Sequence, residues 1–156
     1  MRVLFVCDGN ICRSPLAAAY LRHRAAERGL GHVVVDSAGL LGIKGAPAAP
    51  FSIEVGREEG IDLTGHRSRG VSTADLKTAD FVVAMTLRQL DTLHERFPQG
   101  PGRRLLIRAF ENGPEPTGGA PELDDPVAGP IEDYRDAFAI IRSAVDHMIL
   151  HLKHRA

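Results

Sequence analysis

The sequence predicts an α/β fold. We expect a single domain with a four-stranded parallel twisted sheet, helices on both faces, and a phosphate-binding loop between the first strand and the first helix. Three observations carry this. Short apolar runs alternate with stretches of helical periodicity along the whole chain, the order expected of βαβ units. The first run, Val3-Leu4-Phe5-Val6, passes into a glycine-containing loop that opens directly onto a helical pattern. And 156 residues suffice for one sizeable core with little left for a second, so the domain is expected to cover 1–156.

The elements follow in order. The first strand is expected over Arg2 to Val6, and a helix from Arg13 to Glu27 that closes at Gly29, a residue suited to a helix C-terminus. His32 to Asp36 reads as the second strand, running into Ser37-Ala38-Gly39. After a loop rich in glycine, proline and alanine (Leu40 to Pro50), Ser52 to Glu59 reads as a helix stopped by Gly60. Asp80 to Met85 is the third strand, Leu87 to Arg96 a helix, and Arg104 to Ile107 the fourth strand. Glu111 to Pro130 lacks apolar periodicity, and so long a loop in a compact domain is usually functional or disordered. From Ile131 to His151, the residues Ile131, Tyr134, Phe138, Ile141, Val145, Met148 and Leu152 recur at three- and four-residue steps, the stripe of a core-facing helix.

Composition removes several function classes. A net charge of −1 argues against a nucleic-acid or membrane-surface partner. The opening apolar run is too short to span a bilayer, and no leader pattern precedes it, so a cytoplasmic location is expected. Two cysteines, Cys7 and Cys12, make neither a disulfide scaffold nor a zinc site. His147, His151 and His154 lie at one-turn spacings, which reads as a solvated basic helix end rather than a metal face. No metal and no cofactor is expected.

The chemistry concentrates in Cys7-Asp8-Gly9-Asn10-Ile11-Cys12-Arg13-Ser14-Pro15. The free N–H groups at a helix start, with the positive end of the dipole, favour a bound phosphate and equally a cysteine thiolate. Arg13 adds a planar fork that matches two phosphoryl oxygens. A nucleophile, an oxyanion cradle of Asp8 to Ser14 and a clamp thus fall together, which points to phosphoryl transfer through a cysteinyl-phosphate. Cleavage also needs an acid for the departing oxygen; the long loop holds Asp124-Asp125-Pro126, whose Asp-Pro pair on its own reads as the start of a turn.

The nine residues from Cys7 to Pro15 resemble the phosphate loop of the low-molecular-weight protein tyrosine phosphatases, bacterial members included. The resemblance spans most of the chain, strongly at 3–16, 36–39, 60–70 and 124–141. It implies hydrolysis of phosphotyrosine in proteins, with inorganic phosphate as product and Asp125, with Asp124 as its competitor, as general acid and base. It implies that Asn10, Ser14, Ser37 and His66 form a network holding the loop open, with Asn10 in a left-handed conformation. It also implies that Cys7 and Cys12 can form a protective disulfide under oxidation.

Departures from the family pattern temper this. Asp8 puts a carboxylate in the anion loop, where it is expected to face the rim and repel acidic substrates. Ala18 replaces a glutamate, Thr86 an aspartate, and Val127 an aromatic, and Leu40-Leu41-Gly42-Ile43 lacks the flanking aromatic of animal relatives. The pocket wall is therefore expected to be aliphatic. Ile11 favours phosphotyrosine, because relatives acting on phosphoarginine resemble a threonine version of that position. The alternatives are a phosphatase of another phospho-residue such as phosphoarginine, or a non-catalytic oxyanion- or phosphoprotein-binding module. An arsenate reductase is disfavoured, since no further cysteine exists to resolve its intermediate.

Overall fold

The computed structural model describes residues 1–155. Four strands, β1 (Arg2–Cys7), β2 (Val34–Gly39), β3 (Phe81–Ala84) and β4 (Arg103–Leu106), form one parallel sheet in the order β2-β1-β3-β4. Five α-helices accompany it: α1 (Arg13–Glu27), α2 (Pro50–Glu58), α3 (Thr73–Thr78), α4 (Leu87–Arg96) and α5 (Ile131–His154). The chain leaves β1 to one side for β2 and then returns to the other side for β3. That reversal opens a crevice at the carboxyl end of β1, the place where open α/β sheets bind ligands.

Strand alternation sorts the core into two layers. Val3, Phe5 and Cys7 point toward α1 and α5, joining Leu16, Leu21, Phe138, Ile141, Val145 and Met148. Leu4 and Val6 point the other way and pack with Leu76, Val82, Ala84 and Leu93 on the side of α3 and α4. Each fully buried aliphatic or aromatic side chain contributes about 1.5–3 kcal/mol, so the α5 stripe alone anchors the end of the long loop firmly.

Several boundaries differ from expectation, each for a physical reason. β2 begins at Val34 and extends to Gly39, later than the apolar run at His32. Its register is set by β1, which pairs Arg2 with Val34 and Cys7 with Gly39. α2 starts at Pro50, whose fixed φ suits the first helical position. The short α3 was not expected; Ser72 and Asp75 close it with a reciprocal capping box. The fourth strand ends at Leu106, and Ile107–Phe110 winds into a 3-10 helix.

The histidines of α5 do not form a solvated face. His151 is buried, edge-on to Phe81 and Phe110, while His147 meets the Phe110 carbonyl at 2.8 Å. Among these three only His154 is exposed. Among the described residues no helix is long and apolar enough to cross a membrane.

Candidate active site

The loop from Asp8 to Cys12 sits at the carboxyl end of β1 and leads into α1. Among the described residues, the backbone N–H groups of Asp8, Gly9, Asn10, Ile11 and Cys12 have no hydrogen-bond acceptor. Five consecutive bare donors above a helix N-terminus make a cradle for an oxyanion. The loop's carbonyls, by contrast, are engaged: Leu40 and Leu41 donate to Cys7 and Asp8, and Ala49 donates to Ile11. The neighbouring strand end must come very close. A Cβ on Gly39 would lie 2.8 Å from the Asp8 oxygen and 2.9 Å from the Asn10 nitrogen, so only glycine fits there.

Asn10 is the internal strut. Its φ is 58°, a left-handed conformation that Asn tolerates better than most residues. Its side-chain amide donates to Ser14 Oγ and to Ser37 Oγ, both at 2.9 Å. Its Oδ1 accepts from the Arg69 N–H at 3.1 Å. Its own carbonyl meets His66 Nε2 at 2.7 Å. Burial holds the His66 pKa below the ordinary imidazole value, with Arg22 and Arg67 pushing the same way against the Asn10 hydrogen bond. A carbonyl only accepts, so His66 Nε2 carries the proton and donates to Asn10. Ser14 Oγ lies 3.0 Å from Cys7 Sγ, close enough to donate a hydrogen bond to a sulfur anion.

Arg13 is only 2 % exposed, and its Nη1 donates to the Leu123 carbonyl at 2.7 Å. Its Nη2 lies 3.5 Å from Asp125 Oδ2 and 3.8 Å from Asp8 Oδ2. Its buried Nε has no acceptor among the described residues. A desolvated, unpaired guanidinium nitrogen is costly unless something anionic completes it.

Asp125 accepts from the Val127 N–H at 3.1 Å, which turns the chain there and aims its carboxylate back at Arg13. Cys7, Asp8, Gly9, Ile11, Cys12, Arg13, Leu41, Ile43, Asp125 and Val127 line one cavity of about 290 Å³. Residues from the two ends of the sequence thus converge. Leu41, Ile43 and Val127 are exposed apolar side chains that give this cavity an aliphatic collar, as expected. Asp124 lies in an adjoining cleft that shares Asp125, and does not line the cavity of Cys7.

Cys12 faces Tyr134, with Sγ 3.8 Å from the hydroxyl. Burial raises the Cys12 thiol above its ordinary pKa, and burial likewise pushes Tyr134 up to about 12. Cys12 is therefore a neutral thiol. Asp8 does face the rim, but it is not a free carboxylate: Arg88, on the first turn of α4, donates to it at 3.0 Å. The roles of Gly39, Tyr134 and Arg88 escaped sequence reasoning. Ser37-Ala38-Gly39 at a strand end was a usable signal for the first; the other two lie far along the chain.

A parallel α/β sheet that gathers a thiol, a buried guanidinium and a carboxylate around one bare-amide loop defines a phosphatase. The chain matches the family described as "Low molecular weight phosphotyrosine protein phosphatase" over residues 2–156, and it belongs to that family. It is 37% identical to a protein-arginine-phosphatase of Geobacillus stearothermophilus, covering 94% of this chain and 93% of the relative. It is 32% identical to a probable low molecular weight protein-tyrosine-phosphatase, EpsP, of Ralstonia solanacearum, covering 97% and 95%. The structure of a YwlE arginine phosphatase mutant with a phosphorylated active-site serine superposes with a TM-score of 0.89 at 28% identity, covering 98% of this chain and 96% of the other.

Proposed function

We propose that this chain hydrolyses the phosphomonoester of tyrosine in proteins, and aryl phosphates generally, through a phosphoryl group carried on Cys7. The observation that carries the reading is the buried Arg13 Nε, which among the described residues has no acceptor, beside five loop amides that have none either. Cys7 Sγ attacks phosphorus while Asp125 gives a proton to the leaving phenolic oxygen. The S–P bond forms as the P–O bond breaks, and Arg13 and the loop amides of Asp8 to Ser14 hold the equatorial oxygens. Asp125, now a carboxylate, takes a proton from water as that water attacks phosphorus. Inorganic phosphate forms, and Cys7 leaves as a thiolate stabilised by Ser14. Ser37 and His66 act through Asn10 to keep the loop open. No metal or cofactor enters these steps.

The aliphatic collar supports an aromatic ester: Ile11, Leu41, Ile43 and Val127 offer a ring apolar surface and no hydrogen bonds. A second reading, phosphoarginine, is favoured by the identity to the Geobacillus stearothermophilus arginine phosphatase. A guanidinium would need acceptors at the rim, and Asp8 and Asp125 are the carboxylates there. A panel of phosphotyrosine, phosphoserine and phosphoarginine peptides, with Cys7→Ser as a trap, decides. Capture and turnover of the phosphotyrosine peptide are expected; preference for phosphoarginine would replace the first reading with the second.

Two features support a reducing, cytoplasmic setting without nucleic-acid or membrane partners: both cysteines are free thiols, and the net charge is −1. In that setting Cys7 and Cys12 also form a redox pair. Peroxide converts the Cys7 thiolate to a sulfenic acid, and Cys12 condenses with it to a disulfide, releasing water.

A further inference from the structure

Asp8 poses a problem for a phosphatase. Its carboxylate is 24 % exposed and lies 3.8 Å from Arg13, the guanidinium that must receive a phosphoryl group. Asp125 holds the same Arg13 nitrogen at 3.5 Å. Two carboxylates thus compete with the substrate for one cation. The structure supplies a second cation: Arg88 Nη2, on α4, donates to the same Asp8 oxygen at 3.0 Å. Among the described residues, the charged groups within ion-pair distance of Asp8 are Arg13 from α1 and Arg88 from α4, with Asp125, from the loop before α5, on the same Arg13 nitrogen. The loop after β2 contributes only Leu41 and Ile43 to this cavity.

The Arg88 side chain is 72 % exposed, and an exposed ion pair adds little to stability. Its consequence is local. With Arg88 in place Asp8 has a cation of its own; without it, Asp8 is left to Arg13, and the rim is more negative by one charge whether Asp125 is a carboxylate or still carries the proton it gives the leaving oxygen.

Resting on the phosphatase reading above, we propose that Arg88 is a positioning residue of this active site. It engages Asp8 and thereby leaves Arg13 free for the phosphoryl group. Arg88 acts on binding, through Asp8, and touches no reacting atom.

The test uses the full chain with p-nitrophenyl phosphate as substrate and inorganic phosphate as competitor. Phosphate is also titrated calorimetrically into Cys7→Ser backgrounds, where no turnover is needed. One uncompensated charge about 6 Å from a phosphate dianion, at the dielectric of about 80 that suits an exposed rim, weakens binding about tenfold. Arg88→Ala should therefore raise KM and the phosphate inhibition constant about tenfold while leaving kcat within about twofold, the mark of lost uniform binding. Arg88→Lys should restore most of the loss.

The decisive comparison is Asp8→Asn against Asp8→Asn/Arg88→Ala. With the carboxylate gone, removal of Arg88 should cost less than about threefold, a coupling that a double-mutant cycle isolates. An equal loss in both backgrounds, or no loss in Arg88→Ala, overturns the proposal. If the parent fails to hydrolyse p-nitrophenyl phosphate, the phosphatase reading falls. The phosphate titrations on Cys7→Ser still decide the Arg88 question separately.

Discussion

Asn10 offers the sharpest structural test of how the loop is held. Replacing it with alanine removes two donated bonds, to Ser14 and Ser37, and the acceptor for the Arg69 N–H. It also leaves a Cβ at φ 58° without the local amide that eases that conformation. Three buried hydrogen bonds at about 1 kcal/mol each, plus roughly 1 kcal/mol of backbone strain, give a loss near 4 kcal/mol. Glycine at the same position makes the same polar losses but relieves the strain. It recovers about 1–2 kcal/mol in the folded state and returns about 0.4–1 kcal/mol to the more flexible unfolded chain. Asn10→Gly should thus be more stable than Asn10→Ala by about 1 kcal/mol, yet still clearly weaker than the parent. Urea unfolding with linear extrapolation reads both, and p-nitrophenyl phosphate turnover reads whether the amides still converge. Both variants should lose most activity, because the glycine restores the turn and not the struts. Equal stabilities for the two variants, or parent-like activity in either, would refute the assignment of Asn10 as the strut.

Other outcomes follow from the same geometry. Asp125→Asn should lower kcat by about two orders of magnitude, the scale of a lost general acid, in steady-state assays with a poor leaving group. A parent-like rate would move that role to Asp124 or to water. Peroxide-treated enzyme should regain activity with thiol, and Cys12→Ser should not; recovery in both would remove Cys12 from the redox account. His66 predicts a pH dependence of stability. Its folded pKa lies below the ordinary value because of burial, so between that ordinary value near 6.5 and the lower folded value the unfolded chain binds more protons. Stability should fall as pH drops below about 6.5 and flatten once the folded value is passed. His66→Gln, which can still donate to Asn10, should lose that slope in unfolding titrations, and an unchanged slope would assign it to other groups.

Much of this molecule was legible in the chain because its chemistry is local. Cysteine, loop and arginine lie within one strand–loop–helix unit, so spacing and helix electrostatics alone placed an anion site between β1 and α1. The bounds of α1 and α4 followed from their own periodicity and from the turn-forming residues at their ends. β2 was less legible. Its apolar residues begin early, but pairing with β1 decides where it runs, and that partner is a tertiary fact. His151 looked solvated from its one-turn spacing with His147 and His154, yet Phe81 and Phe110 come from elsewhere to enclose it. Asp8 could be placed at the rim by reasoning about charge, whereas its partner Arg88 lies 80 positions away and carried no local sign. Long-range pairing, rather than composition, separates what the sequence displays from what only the fold reveals.

The central claim is that Cys7 carries the phosphoryl group between ester and water. Rapid acid quench of the enzyme during turnover of p-nitrophenyl phosphate, followed by mass spectrometry of the peptides, tests it directly. The account predicts one phosphoryl group on Cys7, in greater yield in Asp125→Ala, where hydrolysis of the intermediate slows, and no turnover in Cys7→Ser. Unmodified Cys7 throughout turnover, with hydrolysis continuing in Cys7→Ser, would contradict it.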